Sequence, residues 1–410
     1  MSFQQGLSGL NAASQALDVV GNNIANANTV GFKSAAVHFS DVYAKSLSGS
    51  GASQVGIGST ISGVQQSFSQ GNITATDNPL DISINGGGFF RMDLNGSITY
   101  ARNGEFHLDN AGYIINDVGM RVTGYPADAN GTISVANPVD LQLSSSQIQP
   151  RATSDPLAGN ISAALNLDST QGVPATTPFN IANPDTYNYS TALSVYDTLG
   201  VAHTMTMYFV RTAAGGPWDV QATMDGATPQ DLGNLTFNTS GVLTTAMPVV
   251  LPSWALTTGA ASPWSPGNID FTGTTQYGSA SSVNQLTQGG YTTGSLTGVN
   301  VGSDGVVQGS YSNGQSRALG QIVLASFTNP NGLQSLGNNQ WALSSVSGPE
   351  LVSAPGTGSR GVLQSSSIEE SNVDLTAQLV DLITQQRNYQ ANAQTIKTQD
   401  QIMQTLVNLQ

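Results

Sequence analysis

Phe3-Gln-Gln-Gly-Leu7-Ser-Gly-Leu10-Asn-Ala-Ala-Ser-Gln-Ala-Leu17-Asp-Val-Val-Gly-Asn-Asn-Ile24 is the stretch whose reading decides the fold. Phe3, Leu7, Leu10, Ser14, Leu17, Gly21 and Ile24 fall at alternating spacings of four and three, which draws an apolar seam along one side of a helix. Gly6, Gly9 and Gly21 lie inside that helix, and each costs about 1 kcal/mol relative to alanine. A helix of about 20 residues weakened in this way is marginal in water unless its seam is covered. The Asn-rich run from Asn22 to Asn28, followed by Gly31, ends it.

The cover is expected from the other end of the chain. From Val362 to Gln410 there is neither Gly nor Pro, and Leu375, Leu379, Leu382, Gln386, Tyr389, Ala393, Ile396, Asp400, Met403 and Val407 repeat the same spacing. Ser371, with Asp374 three residues on, resembles a capping box and sets the expected start. Such a helix is about 55 Å long. Gln386 and Asp400 interrupt its seam, as register-fixing polar positions do in coiled coils. The pattern therefore predicts a mostly β protein with α-helical termini, in which coiled-coil-like N- and C-terminal helices carry nested antiparallel β domains. The competing reading makes them two ordinary core helices of one domain.

With 410 residues the chain has room for two or three domains. Charged residues make up 9%, against about 25% in ordinary proteins. The net charge is −14 and the 11 Lys and Arg are dispersed, which argues against electrostatic binding to nucleic acid or anionic membrane. Cysteine is absent, which removes disulfides and thiolate metal sites. No run approaches the roughly 18 apolar residues of a membrane span. The first basic residue is Lys33, so the start lacks the charged region of a cleaved secretory signal. Either the protein stays in the cytosol or it leaves by a route that cleaves no such signal.

Along the chain, residues 34–70 carry few signals. Val37, Phe39, Val42 and Tyr43 could begin a short ordered piece, and Ser48 to Gly58 reads as a Gly/Ser-rich linker. From Gly71 the pattern turns to β. Leu80, Ile82 and Ile84 alternate with polar residues, Asp93-Leu-Asn95-Gly96 is a hairpin turn, and Asn103-Gly104 and Asp109-Asn110-Ala-Gly112 are further turns. Gln147 to Asp155 is a boundary rich in Pro, Thr and Ser. Beyond it, Leu193 and Val195, the turn Asp197-Thr-Leu-Gly200, and Met205, Met207 and Phe209 form a second hairpin, with Trp218 on a third strand. The expected strands of the last third include Gly305–Val307, Gln321–Phe327 and Gln340–Leu343. The resulting division places a terminal helical part at 1–28 and 371–410, and a connecting segment at 29–70 and 362–370. A middle β domain follows at 71–146 and 288–361, with an inserted outer β domain at 147–287.

No catalytic constellation emerges. Gly356-Thr-Gly358-Ser-Arg-Gly361 matches a dinucleotide fingerprint in letters, but it follows Pro355 instead of a strand. Asp93 and Asn95 before Gly96 share the opening of a calcium loop, yet the closing Glu is missing. His38 has no second ligand at metal spacing. Glu105, Glu350, Glu369 and Glu370 are scattered without pairing. No cofactor, metal site or enzymatic activity is expected. The Met and aromatic alternation around 205–209 reads as core.

Several motifs resemble the bacterial flagellar rod and hook axial proteins. At the start these are Ser8-Gly-Leu-Asn-Ala-Ala13, Asn22-Asn-Ile-Ala-Asn26 and Gly31-Phe-Lys33, then Asn78-Pro-Leu-Asp81, Gly88-Phe-Phe90, Arg102-Asn-Gly-Glu-Phe106 and Gly124-Tyr-Pro126. At the end they are Ser371-Asn-Val-Asp-Leu375, Gln386-Arg-Asn-Tyr-Gln-Ala391 and Thr395-Ile-Lys-Thr-Gln-Asp400. The resemblance covers about 1–146 and 288–410. In between it is weaker, chiefly Ser194-Val-Tyr-Asp197 and Met207-Tyr-Phe-Val210. Within the family, the length and the middle insertion resemble the hook-forming members more than distal rod or hook-associated ones.

The resemblance implies a subunit exported without a cleaved signal peptide through the flagellar type III export apparatus. It implies assembly outside the cell, at the hook and basal body, into a bendable tube that transmits motor torque. Implied partners are further copies of the chain and the distal rod, hook cap and hook–filament junction proteins, with no nucleic acid and no membrane insertion. The seams then become the polymerisation interface, through Phe3, Leu7, Leu10, Leu17, Ile24, Leu375, Leu379, Leu382, Tyr389, Ile396, Met403 and Val407. A secreted carbohydrate-binding or hydrolytic β protein is the distant alternative, which a paired-carboxylate cleft would favour.

Overall fold

The two terminal seams do become helices, α1 over Ser2–Ala25 and α2 over Leu375–Asn408. The computed structural model describes residues 2–42, 56–144 and 147–408, with the side chains of Ser2 and 406–408 outside that description. α2 starts three residues later than the expected capping box at Ser371, because the cap is Asp374. Its Oδ1 accepts from the amides of Thr376 and Ala377 at 2.9 and 3.1 Å, satisfying two of the unpaired first-turn donors. Between the helices the chain is almost wholly strand and turn, so the mostly β class with helical ends holds.

The passage with few sequence signals is ordered where it is described. Ala35–Val42 pairs antiparallel with Gly58–Gln66, and Tyr43 and most of the Gly/Ser-rich run lie outside the described residues. Every position of this hairpin is half-buried or exposed, which is why no run of large apolar residues announces it. It lies against α1: Gln5 Nε2 donates to the carbonyl of Gly56 at 2.5 Å, and the amide of Ser59 donates to Ser8 Oγ at 3.3 Å.

The chain separates into two compact units. The first comprises Met1–Ser145, Gly298–Ser310 and Ser316–Gln410, and the second Ser146–Thr297 with Tyr311–Gln315. The second unit thus ends ten residues beyond the expected 287 and takes in a short return near 313.

In the first unit, strands Phe89–Leu94 and Ser97–Ala101 meet at Asn95–Gly96, with φ of 53° and 89°. Both central residues have positive φ, as a type I′ hairpin turn requires. Phe89 and Phe90 point to opposite faces. Phe90 packs edge-on against Phe106 at 5.1 Å, while Phe89 joins Phe68, Phe327 and Trp341. The expected continuous strand Gln321–Phe327 is divided. Ser316–Ile322 pairs with Arg121–Pro126, whereas Leu324–Ser326 pairs with Phe89–Leu94 and Leu351–Ser353. Residues 322–325 are fully buried, so the chain changes partners inside the core, where an apolar run gives no sign of it.

The second unit sets a four-stranded antiparallel sheet (Tyr189–Tyr196, Ala202–Arg211, Trp218–Met224, Gln230–Leu235) and a five-stranded sheet around one core. Met205, Met207 and Phe209 are fully buried, as the alternation predicted. The five-stranded sheet departs from the antiparallel expectation. Ile161–Asp168 pairs parallel with Asn268–Asp270 and with Thr275–Tyr277, and antiparallel with Ser282–Thr287. Between the two short parallel strands the ladder is completed by a side chain. Thr274 Oγ1 accepts from the amide of Leu165 at 3.3 Å and donates to the carbonyl of Ala163 at 3.1 Å. Trp218, Ile269 and Phe271 close the core between the sheets.

Candidate functional site

Two of the three glycines that weaken α1 face α2 closely, whereas a Cβ on Gly21 would meet nothing within 4 Å. A Cβ on Gly6 lies 3.0 Å from Ile396 Cγ1, and one on Gly9 lies 2.7 Å from Asn392 Oδ1. Ala13 and Ala16, on the same side of α1, are buried. Small residues let two helix axes approach, so the intrachain contact face of α1 is this small-residue face. The stripe of large residues is turned from it by about 100°, one residue's rotation at 3.6 residues per turn.

The expected interface residues therefore divide. Phe3 and Leu7 stay 49% and 44% exposed, and Leu10, Leu17 and Ile24 are half-buried at the edge. On α2, the side toward α1 carries Gln378, Leu382, Asn392 and Ile396, all half-buried. Leu375, Leu379, Tyr389 and Met403 are exposed, and the side chain of Val407 lies outside the described residues. The seam read from sequence thus straddles two faces: Leu382 and Ile396 serve the intrachain pair, and Leu375 and Leu379 do not. Val380 and Ile383, 59% and 50% exposed, extend the uncovered surface and escaped the four-three count.

Beneath the helices the chain makes a joint that the sequence does not display. Asn23, buried near the end of α1, donates through Nδ2 to Gln378 Oε1 at 3.0 Å and to the carbonyl of Ala35 at 2.8 Å, and its Oδ1 accepts from the Ala35 amide. One side chain thus fixes α1, the start of the hairpin and the first turn of α2. Asn372, just before α2, accepts from the amide of Ser34 at 2.7 Å and donates to the carbonyl of Ser67 at 2.8 Å. Gly31, at φ 70°, donates to the carbonyl of Glu369 at 2.8 Å, and a Cβ there would meet the Asn103 amide nitrogen at 2.5 Å. That close approach in the left-handed region requires glycine.

Glu369 is the centre of the joint, and its side chain is fully buried between two cations. Lys33 Nζ lies 2.7 Å from Oε1 and Arg102 Nη1 lies 3.0 Å from Oε2, with side-chain exposures of 0% and 2%. Oε1 also accepts from the Gly71 amide, Lys33 donates to the carbonyl of Ser69, and Arg102 Nη2 donates to the carbonyl of Gly86. Burial lowers the pKa of Lys33, Glu369 opposes that shift, and Arg102 reinforces it. Burial likewise lowers Arg102 against the pull of Glu369. This is a correction to the reading of scattered glutamates, and Glu350 is a second one, bound by Arg91 Nε at 3.0 Å and Tyr100 Oη at 2.8 Å. Lys33 and Arg102 lie 336 and 267 residues from Glu369, a separation no local motif spans. The one available signal was their scarcity: in a chain with 9% charge, the Lys of Gly31-Phe-Lys33 and the Arg of Arg102-Asn-Gly104 stand out.

Such an arrangement ties both ends of the chain to the adjoining β strands. It presents uncovered apolar helix faces above a rigid ionic base, and among the described residues no group of His, Asp and Glu could hold a metal. No helix among them is long and apolar enough to cross a membrane.

Comparison with known proteins gives matches along the chain. Residues 3–33 match the family model described as flagella basal body rod protein, and 83–153 that of the flagellar hook protein FlgE/F/G D1 domain. Residues 166–291 match the flagellar basal body protein FlaE D2 domain, and 364–409 the flagellar basal body rod FlgEFG protein C-terminal model. Among relatives, the flagellar hook protein FlgE of Salmonella typhimurium is 42% identical over 419 residues, covering 100% of both chains. That of Escherichia coli is 41% identical with the same coverage. That of Borreliella burgdorferi is 30% identical, covering 100% of this chain and 99% of the relative. The crystal structure of Helicobacter pylori flagellar hook protein FlgE2 aligns at 13% identity with a TM-score of 0.48, over 71% of this chain and 99% of that one.

Proposed function

Because the chain belongs to the flagellar hook protein family, we propose a specific division of labour within a structural subunit of the hook. The uncovered faces of α1 and α2 bind neighbouring copies and build a helical polymer. The observation that carries this is the exposure of Phe3, Leu7, Leu379 and Ile383, at 44% to 50%, on helices already paired with each other. A single chain leaves that apolar area in water, and adding copies head to tail buries it. A head-to-tail contact that does not close into a ring gives a filament.

In this reading residues 1–28 and 371–410 form the tube, 29–70 and 362–370 connect it, and 71–146 with 288–361 form the adjoining β layer. The insertion around 147–287 tunes curvature and stiffness without driving assembly. A chain with only 9% charged residues limits like-charge repulsion between copies as the tube bends and passes torque. The subunit reaches the hook through the type III export apparatus without a cleaved signal, and meets the distal rod, hook cap and hook–filament junction proteins at the ends of the polymer. It performs no catalysis.

The test is seeded elongation followed by electron microscopy. Leu379→Asp places a charge on the uncovered face, where an unpaired buried charge costs several kcal/mol at an interface. Elongation is expected to stop while monomer unfolding is unchanged, since Leu379 is 44% exposed in the single chain. Leu382→Asp is the less clean variant, because Leu382 faces α1 and its loss also disturbs the helix pair. Normal elongation by Leu379→Asp would overturn the assignment of this face.

A further inference from the structure

The second unit buries an ionic cluster for which the assembly has no use. His203, on the strand Ala202–Arg211, is 5% exposed. Its Nδ1 lies 2.6 Å from Asp225 Oδ2, in the turn after Trp218–Met224. Its Nε2 lies 3.3 Å from Asp197 Oδ2, in the turn before its own strand. Asp197 is fully buried. The same Oδ2 accepts from Thr258 Oγ1 at 2.8 Å, which brings in a third segment, the loop between Trp254 and Trp264. That loop also sets the Trp264 ring 6.1 Å from the imidazole.

The other carboxylate oxygens are already engaged. Asp197 Oδ1 accepts from the amides of Leu199 and Val201, and Asp225 Oδ1 from that of Thr204. Neither aspartate can turn away from the ring without giving up those bonds. A neutral imidazole carries one N–H and one lone pair, so in this site its lone pair must face a carboxylate oxygen. Only the imidazolium donates to both.

We propose that His203 is a pH-operated clasp. Protonated, it ties the Asp197 turn, the Asp225 turn and the Thr258 loop into one end of the β unit. Deprotonated, it keeps the shorter bond to Asp225 and no longer donates to Asp197, whose Oδ2 is then left to Thr258 without a cation. The charged groups facing the ring are Asp197 and Asp225. The third segment contributes Thr258 and Trp264, which carry no charge, so deprotonation leaves two carboxylates with no cation between them.

The sign follows from the groups involved. Burial disfavours the charged ring, but its hydrogen bonds to Asp225 and Asp197 and their negative charge outweigh it and raise His203 above its ordinary 6.5. A base raised in the folded state contributes stability that is complete below about 6.5 and is lost as pH climbs through the folded value. Asp197 shifts the other way. Burial would raise it, but Thr258, the Val201 amide and His203 hold it below 3.8, so its contribution is lost only on acidification.

The experiment is an NMR titration of the full chain with ¹³C-labelled histidine imidazoles, in which His203→Gln assigns the His203 signal. The His203 signal is expected to titrate above 6.5, and Asp225→Asn to bring it down. Hydrogen exchange at the amides of Leu199, Val201 and Ala261, corrected for intrinsic base catalysis, is expected to accelerate by up to about tenfold per pH unit between about 6.5 and the folded value, and to level off above it. His203→Gln should abolish that dependence. A His203 signal titrating at or below about 6.5 refutes the clasp, as does an unchanged exchange profile in His203→Gln. Should His203→Gln not fold, the direction of the Asp225→Asn shift decides: a downward shift supports the proposal and no shift overturns it.

Discussion

Replacing Glu369 with glutamine tests whether the two ends of the chain are held to the β layer by charge or by packing alone. Glutamine keeps the shape and one acceptor oxygen, so what is lost is the anion between Lys33 Nζ at 2.7 Å and Arg102 Nη1 at 3.0 Å. Water cannot compensate, because the side chains are 0%, 0% and 2% exposed. Removing one partner of a buried ion pair costs about 3–5 kcal/mol. Lys33→Met acts differently, since it leaves Arg102 and Glu369 as a one-to-one pair. It forfeits the hydrogen bonds to Ser69 and to Glu369 Oε1, together worth about 2–4 kcal/mol, and offsets that loss by no longer burying an ammonium.

The assay is native-state hydrogen exchange across the paired strands Ile82–Asn85 and Val362–Ser365. Glu369→Gln should speed their opening by between about a hundredfold and several thousandfold, and Lys33→Met by about tenfold or less. The pH arm has a definite sign. Lys33 is lowered below 10.5, so between its folded value and 10.5 the unfolded chain holds the extra proton. Stability therefore rises with pH in that window, and Lys33→Met removes the rise. A Glu369→Gln cost below about 1 kcal/mol, or an equal cost for Lys33→Met, would show that packing and backbone bonds hold the joint without the charge.

Gly9→Ala should change the α1–α2 pair little, because the atoms within 3 Å of the new Cβ are the movable end of Asn392 and alanine regains about 1 kcal/mol of helix propensity. Gly9→Leu should force the helices apart at about 1–3 kcal/mol, read as faster exchange in both helices. Equal effects of the two variants would remove Gly9 from the contact. Thr274→Val should destabilise the second unit by about 1–3 kcal/mol, since the Leu165 amide and Ala163 carbonyl lose their bridging hydroxyl. Thermal unfolding matching the parent would mean that the two parallel strands close their ladder without it.

The sequence by itself determined what depends on neighbours in the chain. Seams at four-three spacing fixed two terminal helices, and Asp93 to Gly96 and Asp197 to Gly200 fixed two hairpin turns, because backbone preference and side-chain periodicity act over a few residues. Alternation put Met205, Met207 and Phe209 inside. Only the tertiary structure decided which face of each helix meets the other. The large residues of α1 form the conspicuous stripe, yet α2 packs where Gly6 and Gly9 permit close approach. Weak points in an isolated helix became its contact, because close packing rewards the missing side chain more than propensity penalises it. The hairpin beginning at Ala35 was marked only by Val37, Phe39 and Val42, because none of its positions is fully buried, and burial is what writes a strand into a sequence. Lys33, Arg102 and Glu369 read as isolated charges for a related reason: each is 69 residues or more from the others along the chain, and a charge acquires its meaning from what stands within about 4 Å, a distance set by the path of the whole chain.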